Sequence, residues 1–558
     1  MNFVLRFRFF IFPILASLLC LAGFVPWFGD RWFRRVEGLG TRFARKKGAV
    51  IVSIALATVL MRVALLGAMP VPVPHFHDEF SYLLAGDTFA HGRLANPPHP
   101  MRLFLETFHV LQHPTYASMY PPAQGGVLAF GQVLGNPWIG VLLSVAAMGA
   151  AVTWAMQAWL PPGWALLGGV LLVLRIGLIS YWMNSYWGGA VAATGGALVI
   201  GALPRIRKRL RVGDAVLMAL GAALLGNSRP LEGLIFCVPV AAVMIAWLFS
   251  KQGPAAAVAL PRVILPIAAV LTATLGFMAY YNWRVTGSAL LFPEWLDERV
   301  YTNLPLFLWQ AWKPPLRYNN PQFEYFYNVW KYTEFPHTLV RSLVWKAHLL
   351  WVFYVGSAFT IPLVAFPWVL KDKRTRLLVI QCVISGLGLL AVAWFFPHYA
   401  APLTATWFIL LVQAMRHLRL WKVYGRPVGL ALCRLIVLLT VARIPYMAAY
   451  QFKNPEAPWS LERAGLTRQL EAMPGKQLVL VHYGPQHNVA LEWVYNGADL
   501  DEAKTVWARD IPGQDLEPLL DYYRDRKVWI LEADVSPARL QPYDGGGTRG
   551  GTRGGTHR

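Results

Sequence analysis

Residues 49–70, AVIVSIALATVLMRVALLGAMP, are followed, after Val71-Pro-Val-Pro74, by His75-Phe-His-Asp-Glu-Phe-Ser-Tyr-Leu-Leu-Ala-Gly-Asp87. The first string is apolar over about 20 residues, enough to cross a hydrocarbon layer about 30 Å thick. The second puts two adjacent carboxylates where such a span would leave the membrane. The rest of the chain repeats the first pattern. It has 558 residues, of which 56% are hydrophobic and 14% charged, with a mean hydropathy of +0.41. A soluble domain carries about 25% charged residues. The reading is an all-α polytopic membrane protein of about 11–12 transmembrane helices, with a small C-terminal α/β unit.

Candidate spans are 9–28, 49–70, 138–160, 164–182, 187–203, 213–228, 231–250, 262–282, 346–370, 377–396, 400–415 and 428–446. Four short connections concentrate positive charge: 31–47 with seven Lys/Arg, 205–211 with five, 371–376 with four and 416–426 with four. Short basic loops stay in the cytoplasm, and placing all four there is consistent with single crossings by the spans between them. The first span is the weak point, since it would need an external N-terminus despite Arg6 and Arg8. The net charge of +22 is thereby largely absorbed by topology. No basic soluble domain with a stacking platform accompanies it, which argues against nucleic acid. Cys20, Cys237, Cys382 and Cys433 all fall in apolar segments, so no disulfide framework or metal cage is expected.

Three large pieces then lie outside: 71–137, 283–345 and everything after about 447. The expected division is 1–48 as an N-terminal helix and basic loop, 49–446 as the membrane unit, 447–544 as an extracytoplasmic α/β unit and 545–558 as a Gly/Arg/Thr tail. Strands are expected at 477–483, 505–509 and 528–532, with a helix over 516–526 whose Leu516, Leu519, Leu520 and Tyr523 share a face.

The chemistry-bearing residues cluster on the outer side. Asp78 and Glu79 open the first loop. A carboxylate there can act as general base toward an acceptor hydroxyl or amine, or hold a divalent cation on a phosphate. The alternative is that Asp78 merely caps a helix beginning at Glu79. His75, His77 and Asp78 are candidate metal ligands if the segment is extended, because alternate residues then point the same way; scattered interfacial histidines are more often hydrogen-bonding surface groups. Tyr120-Pro-Pro-Ala-Gln124 enters a Gly-rich apolar stretch. Asn184 sits in a polar outer turn, Asn184-Ser-Tyr-Trp-Gly188. Asn227-Ser-Arg-Pro-Leu-Glu232 places Arg229 and Glu232 at a helix–helix turn, where they either pair with each other at i, i+3 or leave Arg229 to grip a phosphate. Phe396-Pro-His-Tyr-Ala-Ala-Pro402 adds His398 and Tyr399, and the 283–345 loop adds Lys313 and Arg317.

A span, then Asp78-Glu79 opening a long outer loop, then Tyr120-Pro-Pro122, Ser228-Arg-Pro-Leu-Glu-Gly233 and His398-Tyr399, resembles the GT-C class of polytopic glycosyltransferases. Within that class it looks most like the protein O-mannosyltransferase, aminoarabinose transferase and RgtA/B/C/D-like branch. The resemblance covers roughly residues 49–446. It implies transfer of a sugar from a polyprenyl-phosphate carrier to an extracytoplasmic lipid, glycan or protein, with inversion, at a bacterial inner membrane. Asp78 would be the catalytic carboxylate, with Glu79 beside it. Members of the class differ in metal dependence, so a divalent cation stays open. The 447–544 unit and the tail have no counterpart in it. Two rivals remain: a polysaccharide polymerase or ligase leaning on outer-loop arginines and a histidine, and a transporter of lipid-linked glycans. A transporter would show inverted repeats and broken midplane helices, and no repeat is visible.

Overall fold

The computed structural model describes residues 13, 16–27, 29–334, 338–454 and 458–544. Residues 9–12, 14, 15 and 28 of the expected 9–28 span and all of the 545–558 tail lie outside the described residues. Among the described residues, six helices are long and apolar enough to cross a membrane: Lys47–Ala64, Pro137–Trp159, Pro230–Leu248, Ala256–Thr286, Leu339–Lys371 and Val428–Lys453. Three shorter apolar helices, Pro162–Gly177, Val212–Gly226 and Arg376–Ala391, join them. This is a polytopic membrane chain.

Several expected spans are helical but interrupted, for local reasons. The 164–182 span runs as helix Pro162–Leu172, loosens into the π-turn Val173–Gly177, and leaves the helix for an irregular turn over 178–189. The 346–370 span is helix Leu339–Leu350, π-turn Trp351–Val355, helix Gly356–Thr360, 3-10 turn Ile361–Ala365 and helix Phe366–Lys371. Gly356 at φ +59° and the prolines at 362 and 367 break its hydrogen-bond ladder. The 187–203 span starts later, at Ala190, and runs past Pro204 to Arg209, so its basic cluster belongs to a helix end.

Packing is tightest around Pro137–Trp159 and Ala190–Arg209. Gly195 and Gly221 let the Ala190–Arg209 and Val212–Gly226 helices touch backbone to backbone. A Cβ at Gly195 would sit 2.8 Å from the Gly221 carbonyl oxygen, and one at Gly221 2.7 Å from that of Gly195, the close approach that small residues permit in membranes.

The 71–137 loop folds as helix His77–Ala90, a two-stranded ribbon of β1 (Val110–Leu111) and β2 (Ala117–Ser118), and helix Pro122–Val133. The C-terminal unit begins with helix Pro458–Ala472 and forms a sheet of β3 (Lys476–His482), β4 (Thr505–Asp510), β5 (Arg526–Glu532) and β6 (Arg539–Pro542) in the order β4-β3-β5-β6. β3 pairs parallel with β4 and β5, with helix Glu517–Tyr522 in the β4–β5 crossover, and β6 adds antiparallel at the edge. β6 is absent from the sequence reading because Arg539-Leu-Gln-Pro542 carries no apolar alternation, as suits an edge strand.

This unit shares a core with the first loop: Leu84, Phe104, Val110 and Tyr116 pack with Leu478, Leu480, Val506 and Leu519. Asp87 accepts the Ala498 amide at 2.6 Å and Arg93 pairs with Asp499 at 2.6 Å.

Candidate functional site

The site is built at the start of helix His77–Ala90. The helix begins at His77 with Phe76 as its N-cap, so Asp78 does not cap it. Glu79 does that work. Its Oε1 accepts from the His75 and Phe76 amides at 3.1 and 3.3 Å, and its Oε2 from the Tyr186 amide at 2.9 Å. Glu79 is fully buried, and these bonds pin the loop start to the 178–189 turn. The adjacent carboxylates therefore have different surroundings, since consecutive helical residues point about 100° apart.

Asp78 faces the other way and accepts a hydrogen bond from the Tyr120 hydroxyl. Tyr120 is held from below: its amide donates to Ser118 Oγ at 3.1 Å, and Ser118 Oγ meets Ser81 Oγ at 2.7 Å. Tyr82, one turn along from Asp78, stacks on Tyr120 with centroids 4.3 Å apart.

The turn bearing Arg229 joins this group through backbone. The Ala123 amide donates to the Asn227 carbonyl at 2.9 Å, so the Tyr120-Pro-Pro entrance and the Ser228-Arg-Pro turn are neighbours. The Arg229 guanidinium lies 4.2 Å from the centroid of the Tyr399 ring. Among the described residues it makes no hydrogen bond, and no ion pair with Glu232 within 4 Å, so the i, i+3 pairing is not formed. The groups acting on it electrostatically are Tyr82, Tyr399, Glu232 and Glu294. A narrow crevice lined by Glu232, Phe236, Ser385, Tyr399 and Pro402 runs on one side. A second is lined by Pro121, Pro122, Asn227, Tyr281, Asn282 and Glu294. Asn227 and Glu232 of the Arg229 turn thus each border a crevice, and each crevice is edged by a carboxylate that acts on Arg229. Burial pushes the Glu294 carboxyl up to about 7, against the pull of Arg229.

The structure brings together Asp78, Tyr120, Arg229 and Tyr399, from four separate segments. Other candidates are spent elsewhere. His398 is buried, with Nδ1 3.0 Å from the Tyr181 hydroxyl and its ring among Trp187 and Phe396. Asn184 accepts from Arg62 at 2.9 and 3.2 Å and donates to the Leu178 and Ser180 carbonyls, which locks the turn. Lys313 is exposed, its amine reaching the Glu298 and Thr302 carbonyls at 3.5 and 3.4 Å, and Arg317 is exposed.

His75, His77 and Asp78 do not form a metal-holding group, and no other three His, Cys, Asp or Glu do so among the described residues. The alternation argument required an extended segment, whereas His77 and Asp78 belong to the first helical turn. The His77 ring instead stacks on Phe108 with centroids 4.3 Å apart. Burial, helped by the neighbouring His109, pushes its imidazole down to about 3.

Three residues of the site were not singled out from the sequence. Tyr82 had a usable signal, since it sits at i+4 from Asp78 on one helical face. Glu294 and Lys331 had none beyond a charge in an aromatic loop. Lys331 is buried over the rings of Phe326 and Tyr327, at 5.0 and 4.5 Å, and feels Asp297, Asp78 and Glu298. Phe326 also touches the His77 ring, with centroids 5.2 Å apart, which places Lys331 near the helix start. Above them lies the C-terminal unit: Arg509 bonds the Glu492 carboxylate and donates to the Glu106 carbonyl at 2.7 Å, and Val489 packs in one cluster with Phe108 and Phe326.

No family model matches the chain, and neither does any curated protein. Among solved structures, it is similar to ArnT from Cupriavidus metallidurans in the apo state, with 11% identity over 87% of this chain and 93% of that one and a TM-score of 0.49. The same enzyme bound to undecaprenyl phosphate gives 13% identity over the same shares and a TM-score of 0.48. The apo oligosaccharyltransferase of Archaeoglobus fulgidus gives 12% identity over 87% of this chain and 69% of that one, with a TM-score of 0.48.

Proposed function

We propose that this chain is a membrane glycosyltransferase of the GT-C type, moving a sugar from a polyprenyl-phosphate donor to an extracytoplasmic acceptor with inversion. The observation that carries the reading is that Asp78, bonded to Tyr120 of the Tyr82–Tyr120 stack, and Arg229, over the Tyr399 ring and within the field of Tyr82, belong to one cluster, with Arg229 left without an ion pair within 4 Å among the described residues. A fixed carboxylate and an unmatched guanidinium are the two charges such a transfer needs. Asp78 takes the proton of the acceptor hydroxyl or amine as that atom attacks the anomeric carbon. The bond from that carbon to the phosphate oxygen breaks, and the departing polyprenyl phosphate keeps the electron pair under the Arg229 fork. Tyr120 orients the carboxylate, and Glu79 positions the helix start without touching substrate. The membrane unit 49–446 carries the transfer, and 447–544 is its cover.

The test is Asp78→Asn in purified protein with a polyprenyl-phosphate sugar. Turnover should fall by about 10²–10⁴-fold, the usual weight of general-base catalysis, with the thermal melting point unchanged. Near-normal turnover would remove Asp78 from the reaction.

Sidedness follows from the same reading, with the site on the outer face of a bacterial inner membrane. In a background lacking the four native cysteines, Ser288→Cys and Glu471→Cys, both at exposed positions, should react with an impermeant maleimide in intact spheroplasts. Lys373→Cys should react only after the membrane is opened. Labelling at 373 from outside would invert the topology.

A further inference from the structure

Helix Val428–Lys453 carries two arginines whose surroundings differ. Arg434 is matched: it bonds Asp30 at 2.8 Å and Glu37 at 3.2 Å. Arg443, two and a half turns further on, meets no carboxylate among the described residues. Its Nη1 donates to the Arg175 carbonyl at 3.1 Å. Arg175 sits in the π-turn Val173–Gly177, with Nε donating to the Phe353 carbonyl at 3.2 Å and Nη2 to that of Val352 in the π-turn Trp351–Val355. The charged group acting on Arg175 is Arg443. The Arg443 guanidinium therefore reaches the backbone of Arg175 and acts on its charge, with no counter-charge to either among the described residues. Arg175 Nη1 and Arg443 Nε and Nη2 make no hydrogen bond among those residues, and none of these nitrogens is sealed from the surface.

The fold makes room for this arrangement. Gly356 has φ +59°, and a Cβ there would lie 2.6 Å from Arg175 Nη2. Single π-turns are frequent at functional sites, and here two of them face each other across the guanidinium. The depth is that of the membrane boundary: Val173, Leu174, Ile444 and Ala448 pack with Leu65, Ala68 and Met69, just past the end of helix Lys47–Ala64. The flank is open to lipid, with Val352 46%, Val441 48% and Tyr446 65% exposed. Tyr446 follows Arg443 by three residues on the same helical face, where interfacial tyrosines belong.

We propose that Arg175 and Arg443 form a binding site for the phosphate head of a membrane lipid, on the lateral face of the bundle and separate from Arg229. Like charges held together at membrane depth are costly unless an anion joins them. Forked guanidiniums from two elements can hold a phosphate between them, as basic pockets between membrane helices do.

The test is native mass spectrometry of the full-length protein with undecaprenyl phosphate, phosphatidylglycerol or inorganic phosphate as probe. The wild type should retain a lipid phosphate at least about tenfold more tightly than the Arg175→Gln/Arg443→Gln variant, the loss of one or two charge-assisted bonds. The Lys/Lys variant should recover part of the difference. Tighter retention of undecaprenyl phosphate marks the site as a carrier station, and equal retention of phosphatidylglycerol marks it as a site for bulk lipid. If the double variant does not fold, Arg443→Gln, which breaks only the bond to the Arg175 carbonyl, decides in its place. Equal retention by wild type and folded variant, or binding of inorganic phosphate without lipid, overturns the proposal. Repeating the measurement on Asp78→Asn separates this site from the transfer reaction, because lipid retention there should be unchanged.

Discussion

Arg509 in the C-terminal unit and Arg229 in the membrane unit are both deep arginines, and their surroundings are opposite. Arg509 is 1% exposed, bonded to the Glu492 carboxylate and the Glu106 carbonyl, and ringed by Phe108, Phe323 and Tyr483 with centroids 5.4–5.8 Å away. The Tyr483 hydroxyl adds a 2.6 Å bond to the other oxygen of Glu492. Arg229 has only the face of Tyr399 and two carboxylates beyond ion-pair distance. A matched buried charge fastens parts of a fold together. An unmatched one, on a turn whose neighbours border two crevices, leaves room for a ligand's charge.

The largest effect should come from breaking the matched pair. Glu492→Gln keeps the shape and leaves Arg509 buried without its partner, which destabilises by about 3–5 kcal/mol. Because the pair links β4 to the first loop through Glu106, the loss should appear as early melting of the C-terminal unit. Trp493 and Trp507, with ring centroids 6.3 Å apart, report it by fluorescence. An unchanged melting profile would mean that the apolar core alone holds the unit down.

Arg229 should behave in the reverse manner. Arg229→Lys keeps the charge, loses the planar fork, and should leave the melting point within about 1 °C while weakening donor binding by about tenfold, the value of one charge-assisted bond. Binding of a fluorescent polyprenyl-phosphate donor measures it. A destabilised protein with unchanged donor affinity would assign Arg229 to structure, alongside Arg509.

The same contrast explains what the sequence could reveal. Apolar length and loop charge were enough for the membrane class, and the alternating strand–helix–strand pattern for three of the four C-terminal strands. The π-turns at Val173–Gly177 and Trp351–Val355 were invisible, because an apolar run reads the same whether its ladder is i→i−4 or i→i−5. Asp78, Tyr120, Arg229 and Tyr399 were legible because each sits beside a turn signal at a membrane boundary. Their neighbours Asn184 and His398 carry equal signals and are consumed by Arg62 and Tyr181, since residue type does not say which partner arrives. Glu79 was placed with Asp78 on adjacency alone, and one helical residue of rotation gave it three backbone amides to hold. Lys331 and Glu294 come from a loop whose path no local pattern fixes.

The smallest effect sharpens the comparison most, because it concerns how strongly Arg229 is left unmatched. Glu294 edges one crevice and acts on Arg229, and burial pushes its carboxyl up to about 7. The sign follows directly. Above about pH 7 the carboxylate is ionised and, on the proposed function, would compete with the donor phosphate for Arg229. As the pH falls through about 7 it takes a proton, and the field of Arg229 at the donor grows. A phosphodiester donor does not itself titrate in this range, so its binding should tighten by about threefold to tenfold from pH 8 to pH 6, the size of one screened charge nearby. Glu294→Gln should bind at pH 8 as the wild type does at pH 6, with no pH dependence left between them. Donor affinity that is flat in the wild type, or that keeps its slope in Glu294→Gln, would show that Glu294 does not gate Arg229. Glu232, the remaining carboxylate beside that guanidinium, would then be the group to replace next.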